Sequence, residues 1–230
     1  MKILYEDNHI IAINKSCSEI VQADETGDLP LSEMVREYIR GKYQKPGNVF
    51  VGVVHRLDRP TSGVVLFART SKALARLNTM FSEKETIKKT YWAIVDRKPP
   101  EETGQLHHWL VRNTEKNRSF AYDHEVKDSK EALMKYRVAF HSDKYFLLEI
   151  ELLTGRHHQI RAQLGAIGLK IRGDLKYGYP RSNAGGGIHL HARKIEFIHP
   201  VSKQFISITA PVPDDTLWKF FESQDSLPKE

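Results

Sequence analysis

A single cysteine, Cys17, stands among 230 residues, so no intrachain disulfide can form, and a reducing, cytoplasmic setting is the expected one. No run approaches the roughly 18 consecutive apolar residues that a membrane-spanning helix needs. The N-terminal stretch MKILYEDNHIIAINK meets charge too early for a secretory signal. Metal-ligand spacings are missing as well. The pairs His107-His108, His157-His158 and His189-x-His191 have neither an HExxH frame nor a cysteine companion, so no metal is expected. Internal repeats and low-complexity tracts are absent. What the chain has in excess is positive charge, at a net +6 with a pI near 9.2. Lysines and arginines gather at 36–45, 84–89 and 112–118, a distribution compatible with a polyanionic partner whose phosphates such side chains would neutralise.

Hydrophobic periodicity sketches the elements. Short strands are expected at Lys2–Tyr5 and His9–Asn14. Leu31, Met34, Val35, Tyr38 and Ile39 recur at helical spacing behind Pro30, giving an amphipathic helix to about Arg40. The β-branched runs Val49–Val54 and Gly63–Ala68 bracket a turn. Ser71 is the expected cap of a helix carrying Leu74, Leu77 and Phe81 on one face, and Thr90–Val95 is the next strand. A polar, proline-containing link at 97–104 marks the expected meeting point of two lobes within one domain spanning 1–230. Beyond it come strands at Ala132–Phe140, Tyr145–Leu153, Ile188–Phe197 and Phe205–Ile208. A short helix runs from Gln159 to Ile167 with Gly168 as its left-handed stop, and a last helix is capped by Asp214 or Asp215. Strands in succession with helices laid on them argue for an α+β fold.

The turn between the two β-branched runs holds most of the chemical information. VVHRLDRPTSGVVLFAR puts one carboxylate, Asp58, among His55, Arg56 and Arg59, followed by a bend at Pro60-Thr61-Ser62-Gly63. Loops at strand ends are where rigid scaffolds display reactive groups, and an Asp beside arginines stays ionised. For an isolated Asp, a structural ion pair would be the ordinary reading. The whole string decides otherwise: it resembles the HRLDxxTSG signature of the RluA family of pseudouridine synthases, matched at His55, Arg56, Leu57, Asp58, Thr61, Ser62 and Gly63. Lys89-Thr90-Tyr91-Trp92-Ala93-Ile94-Val95 is similar to the family's K-x-Y-x-A-x-V strand, and Thr154–Arg161 to its TGRxHQIR element. Gly173-Asp174 with Tyr177-Gly178, and Leu190-His191-Ala192 before Phe197 and His199-Pro200, are weaker matches. In one place the sequence departs from the pattern: Asn14-Lys15-Ser16-Cys17-Ser18 stands where members commonly show NKPxG, which bears on loop shape and substrate choice.

This resemblance implies a mixed, mostly antiparallel curved central sheet flanked by helices, with a basic cleft. It also implies an RNA-modifying isomerase that converts uridine to pseudouridine with no cofactor. Many members carry an N-terminal S4 domain; no such module is expected here, since the catalytic segment begins almost at residue 1. By resemblance, Asp58 is the catalytic carboxylate, Arg161 pairs with it and Tyr91 packs against the target base. Arg56 fills the stack that the flipped base vacates. His55, Arg59, Thr61, Arg156 and His158 join Arg56 as expected RNA contacts. The expected partner is a stem-loop of rRNA or tRNA, bound by a monomer with no membrane contact. Two other classes stand beside this reading. A binding protein of the same fold without isomerase activity would not need Asp58, Tyr91 and Arg161 together. A glycoside hydrolase would need a paired acid and nucleophile, whereas the main motifs offer one carboxylate and several arginines.

Overall fold

A computed structural model describes residues 1–83, 86–225; Lys84, part of one basic cluster noted above, lies outside the described residues. The described residues fall into two compact units, drawn from 1–87 with 192–211, and from 88–191 with 212–230. The polar link at 97–104, expected to separate lobes, instead joins two strands inside the second unit. The break falls at Ile87–Lys88, and the chain returns to the first unit for residues 192–211.

In the first unit β1 (Lys2–Glu6) pairs antiparallel with β2 (Ile10–Lys15), and β2 pairs antiparallel with β4 (Ser62–Ala68). Beside β4 runs β10 (Leu190–Ile198), whose residues from Ala192 onward belong here, and β11 (Phe205–Thr209) pairs with it. Of the expected strand Val49–Val54 only β3 (Gly52–Val53) pairs, against the end of β4. Every residue of β4 is buried, which is why its sequence SGVVLFA is apolar without alternation. Helix α1 (Leu31–Lys42) buries Leu31, Val35 and Ile39, as its spacing requires. In α2 (Ser71–Ser82) the cap is Thr70, not Ser71. Thr70 keeps an extended backbone, and its hydroxyl accepts the Ala73 N–H at 3.2 Å, while Ser71 already lies inside the first turn.

In the second unit β5 (Ile87–Val95) pairs with β9 (Phe146–Leu152), β9 with β8 (Lys130–His141), β8 with β6 (Thr103–Asn113), and β6 with β7 (Arg118–Tyr122), all antiparallel. One face packs on α3 (Gln159–Ala166), with Ala93, Val95, Leu148, Ile150, Ile160 and Leu164 in its core. On the other, α4 (Thr216–Asp225) buries Trp218 and Phe221 against Trp92, Ile94 and Leu147. Asp215 caps α4, its Oδ1 accepting the Leu217 and Trp218 N–H groups. Strands β6 and β7 were not anticipated. Their alternation of exposed and buried residues is diluted by His107, His108 and Arg112, which reads as a polar segment until β8 supplies the pairing edge. No described helix is long and apolar enough to cross a membrane. The α+β expectation, with a mostly antiparallel sheet and flanking helices, holds.

Candidate active site

The Asp58 turn belongs to the first unit, and its shape comes from a residue that sequence reasoning passed over. Lys15 ends β2 in register with Gly63, two positions after Ile13, so strand alternation points it inward with Ile11 and Ile13. Its side chain is 1% exposed, and its ammonium donates to the carbonyls of Thr61 at 2.6 Å, Arg59 at 3.0 Å and Ser16 at 3.0 Å. Three donors thus meet three acceptors, the arrangement that lets a buried cation persist. Burial pulls the Lys15 ammonium down to about 8, while the negative potential from Cys17, Glu19 and Asp58 opposes the shift. The turn closes with the Thr61 N–H on the Asp58 carbonyl at 3.0 Å. Gly63 follows at φ +116°, where a Cβ would run into the backbone of Ala192, so the glycine of the motif is there for close strand approach.

The flanking motif residues divide by exposure. Asp58 is half-buried and Arg56 exposed. His55 faces inward, its ring stacked on Phe81 at 4.8 Å and its Nε2 accepting the Leu66 N–H at 3.0 Å. Thr61 is buried, and among the described residues its hydroxyl has no hydrogen-bond partner. Arg59 spans to the preceding loop, where its guanidinium meets Asp28, Asp24 and Thr26. The His55 ring and the Thr61 carbonyl thus help to build the turn.

In the second unit the TGRxHQIR segment is a buried polar framework. Thr154 Oγ1 accepts the Leu133 N–H and donates to Gln159 Oε1 at 2.8 Å. The Gln159 amide donates to Leu133 O and to Gln163 Oε1, each at 3.0 Å, and the Gln163 amide donates to Ala132 O at 3.1 Å. These bonds fasten α3 to β8, which fixes where Arg161 emerges. Arg161 is 4% exposed and forks onto Asp174, itself 1% exposed, through Nε to Oδ2 at 2.7 Å and Nη2 to Oδ1 at 2.8 Å. Its Nη1 reaches His158 Nε2 at 3.0 Å, and its guanidinium lies over the Tyr177 ring at 5.0 Å. Burial, with Arg161, His157, Lys176 and Arg112 nearby, pushes the His158 imidazole down to about 2, so the ring is neutral throughout the ordinary pH range. His158 is 7% exposed, held between Tyr177 and Arg161. Arg156 stays exposed, its Nε on Glu131 O. Tyr91 is half-buried on β5, opposite Ile150.

Sequence reasoning thus named Asp58 with its flanking residues in one unit, and Tyr91, Arg156, His158 and Arg161 in the other. It missed Lys15, Gln163 and the roles of Asp174 and Tyr177. The inward alternation of Lys15 on β2 was the available signal. Among the described residues no group of three His, Cys, Asp or Glu side chains is placed to hold a metal ion.

Comparisons with known proteins bear on these motifs directly. Residues 9–166 match the family model of RNA pseudouridylate synthase. A Bacillus subtilis protein called an uncharacterized RNA pseudouridine synthase is 33% identical over 219 residues, covering 94% of this chain and 70% of that protein. Ribosomal large subunit pseudouridine synthase D of Zymomonas mobilis is 32% identical over 227 residues, with 94% and 70% covered. The tRNA pseudouridine synthase C of Vibrio vulnificus is 30% identical over 237 residues, with 95% and 93% covered. Among solved structures, human RNA pseudouridylate synthase domain containing 4 superposes with a TM-score of 0.79 at 20% identity, over 97% of this chain and 93% of that one, a likeness of fold. With the HRLDRPTSG turn, the Tyr91 strand and the TGRHHQIR helix all falling within or across the matched span, the chain belongs to the RNA pseudouridylate synthase family, in its RluA-type branch, and is an isomerase acting on uridine in RNA.

Proposed function

We propose that Asp58 is the carboxylate that carries the isomerisation and that its target is a uridine in a stem-loop of rRNA or tRNA. The observation that carries this reading is the turn itself: a half-buried acid on a loop whose neighbouring carbonyls are tied to the buried Lys15 ammonium. A loop fixed in this way holds a reacting group in place at no cost during the reaction. The reaction breaks the N1–C1′ bond, turns the uracil and forms a C5–C1′ bond. The proton on C5 is lost and N1 gains one, so no redox partner is consumed. Asp58 serves either as nucleophile or as base in that sequence.

Arg161 is proposed as a cation that takes part in the isomerisation, and Tyr91 as the ring against the uracil, since a π-face holds a base without fixing its in-plane rotation. Arg56, exposed beside the turn, suits the vacated stack because a guanidinium plane stacks on bases. Flipping the uridine costs a few kcal/mol, which such contacts offset. Arg156 is proposed as a phosphate contact, and the working unit as a monomer in the cytoplasm. The names of the Zymomonas and Vibrio relatives support trying ribosomal RNA and tRNA first. The deciding experiment maps pseudouridine in total RNA with and without this protein and repeats the reaction with Asp58→Asn. Loss of one or a few sites, restored by the wild type and not by Asp58→Asn, is expected. Full restoration by Asp58→Asn, with deamidation excluded, would overturn the assignment.

A further inference from the structure

The hydrogen-bond pattern around His158 leaves its ring only one arrangement. Arginine nitrogens donate and never accept, so His158 Nε2, 3.0 Å from Arg161 Nη1, must be the bare nitrogen. The proton of the neutral ring therefore sits on Nδ1, which lies 3.1 Å from the Tyr177 hydroxyl. That hydroxyl must accept it. It also accepts the Ser119 N–H at 2.9 Å and spends its own proton on the Ser119 carbonyl at 3.1 Å. The Ser119 N–H, the Tyr177 hydroxyl proton and the His158 ring proton each have an acceptor in this chain, and the ring faces Arg161 as an acceptor. The His157 ring stacks on His158 at 3.9 Å, and the guanidinium groups of Arg118 and Arg161 lie 4.7 Å and 5.0 Å from the centre of the Tyr177 ring. His158 also takes up a left-handed backbone at φ 53°, directly before α3. A non-glycine residue holds that conformation where its surroundings over-determine it.

We propose that His158, locked by Tyr177 in the Nδ1–H tautomer, is a positioning residue that orients Arg161 for the isomerisation. The inference rests on the assignment of Arg161 to the reaction. Asp174 holds one edge of the guanidinium and His158 holds Nη1, so the plane of Arg161 is fixed from two directions by groups of different kind. Asp174 supplies the counter-charge. His158 supplies a direction without adding charge, which a second carboxylate in its place would not do. Protonating His158 would put a donor against Arg161. The ring would then be a cation facing Arg161 on its own helix, Lys176 beside Tyr177, Arg112 on β6 and His157 before it. Tyr177 prevents the other failure, in which a neutral ring turns its N–H toward Arg161.

Two measurements test this, one of which needs no RNA. Nitrogen NMR of the ring in the free protein should show the Nδ1–H tautomer, unchanged on acidification to about pH 4.5, well below the ordinary histidine value of about 6.5. A His158 that titrates near that value, or that shows the Nε2–H form, overturns the inference whatever Arg161 does. The second is kinetic. Tyr177→Phe and His158→Leu should lower kcat by about 10- to 100-fold, the range for losing a hydrogen bond to a charged group, with KM for the RNA changed by less than about twofold. His158→Gln, whose amide oxygen can accept near the Nε2 position, should recover most of the loss. It also keeps the test open if Tyr177→Phe folds poorly. Wild-type kcat in folded His158→Leu, with Arg161→Ala inactive, would remove the positioning role and leave Arg161 in place. Wild-type kcat in Arg161→Ala would remove both.

Discussion

Replacing Asp174 by asparagine keeps the shape of the buried fork and removes only its charge. Both partners are almost wholly out of water, at 4% for Arg161 and 1% for Asp174, and two bonds of 2.7 and 2.8 Å join them. A buried pair of this kind contributes little net stability compared with an apolar pair of the same volume, yet removing the charge of one member is strongly destabilising, by about 3–5 kcal/mol. For a chain of this length each kcal/mol moves Tm by about 2–4 °C, so Asp174→Asn is expected to melt roughly 6–20 °C below the wild type. The three tryptophans, Trp92, Trp109 and Trp218, all lie in the unit that holds the pair, so tryptophan fluorescence during denaturant unfolding reports on that unit. The double change Arg161→Met with Asp174→Leu should recover most of the lost stability, because neither residue then leaves a buried charge behind. It should not recover turnover. A loss below about 1 kcal/mol for Asp174→Asn would show that the guanidinium finds compensation elsewhere, and the argument from burial would fail.

Other outcomes follow from single features. Gly63→Ala places a Cβ against the Ala192 backbone at a φ that side chains avoid, so it should cost more than about 1 kcal/mol; wild-type stability in a thermal melt would contradict this. Lys15→Met leaves three carbonyls without their donor and should cost about 2–4 kcal/mol in denaturant titration, with turnover lost even where the protein stays folded. His158 stays neutral in the fold down to about pH 2, whereas the unfolded chain takes up its proton near 6.5. The unfolded state thus binds more protons between these values, and stability contributed by this residue is lost as pH falls below 6.5, by up to about 1.4 kcal/mol per unit. A His158→Gln protein with the same acid slope as the wild type would refute that. RNA affinity should fall steeply with salt. Engagement of about four to six phosphates gives a log–log slope of roughly −3 to −5, and a flat response would exclude phosphate neutralisation as the source of binding.

The order and type of most elements, the α+β class and the Asp58 turn were legible from local pattern. Alternation in Phe146–Leu152, helical spacing in α1 and the unbroken apolar run of β4 each reflect which face of that segment is buried, a property written residue by residue. The string around Asp58 was legible for a related reason: a turn that closes over five or six residues must encode its own bends. What the sequence could not supply was the far end of each buried polar contact. Lys15 meets carbonyls 44 and 46 residues away, Tyr177 meets Ser119 at a separation of 58, and Arg161 meets Asp174 at 13. Those spacings have no period, and each partner is fixed only when the strands and α3 have packed. The burial of Thr61 and His158 is decided in the same way, by packing and not by the local string. A buried charge or ring nitrogen must find a partner or lose its solvation, and only the tertiary structure decides which partner is within reach.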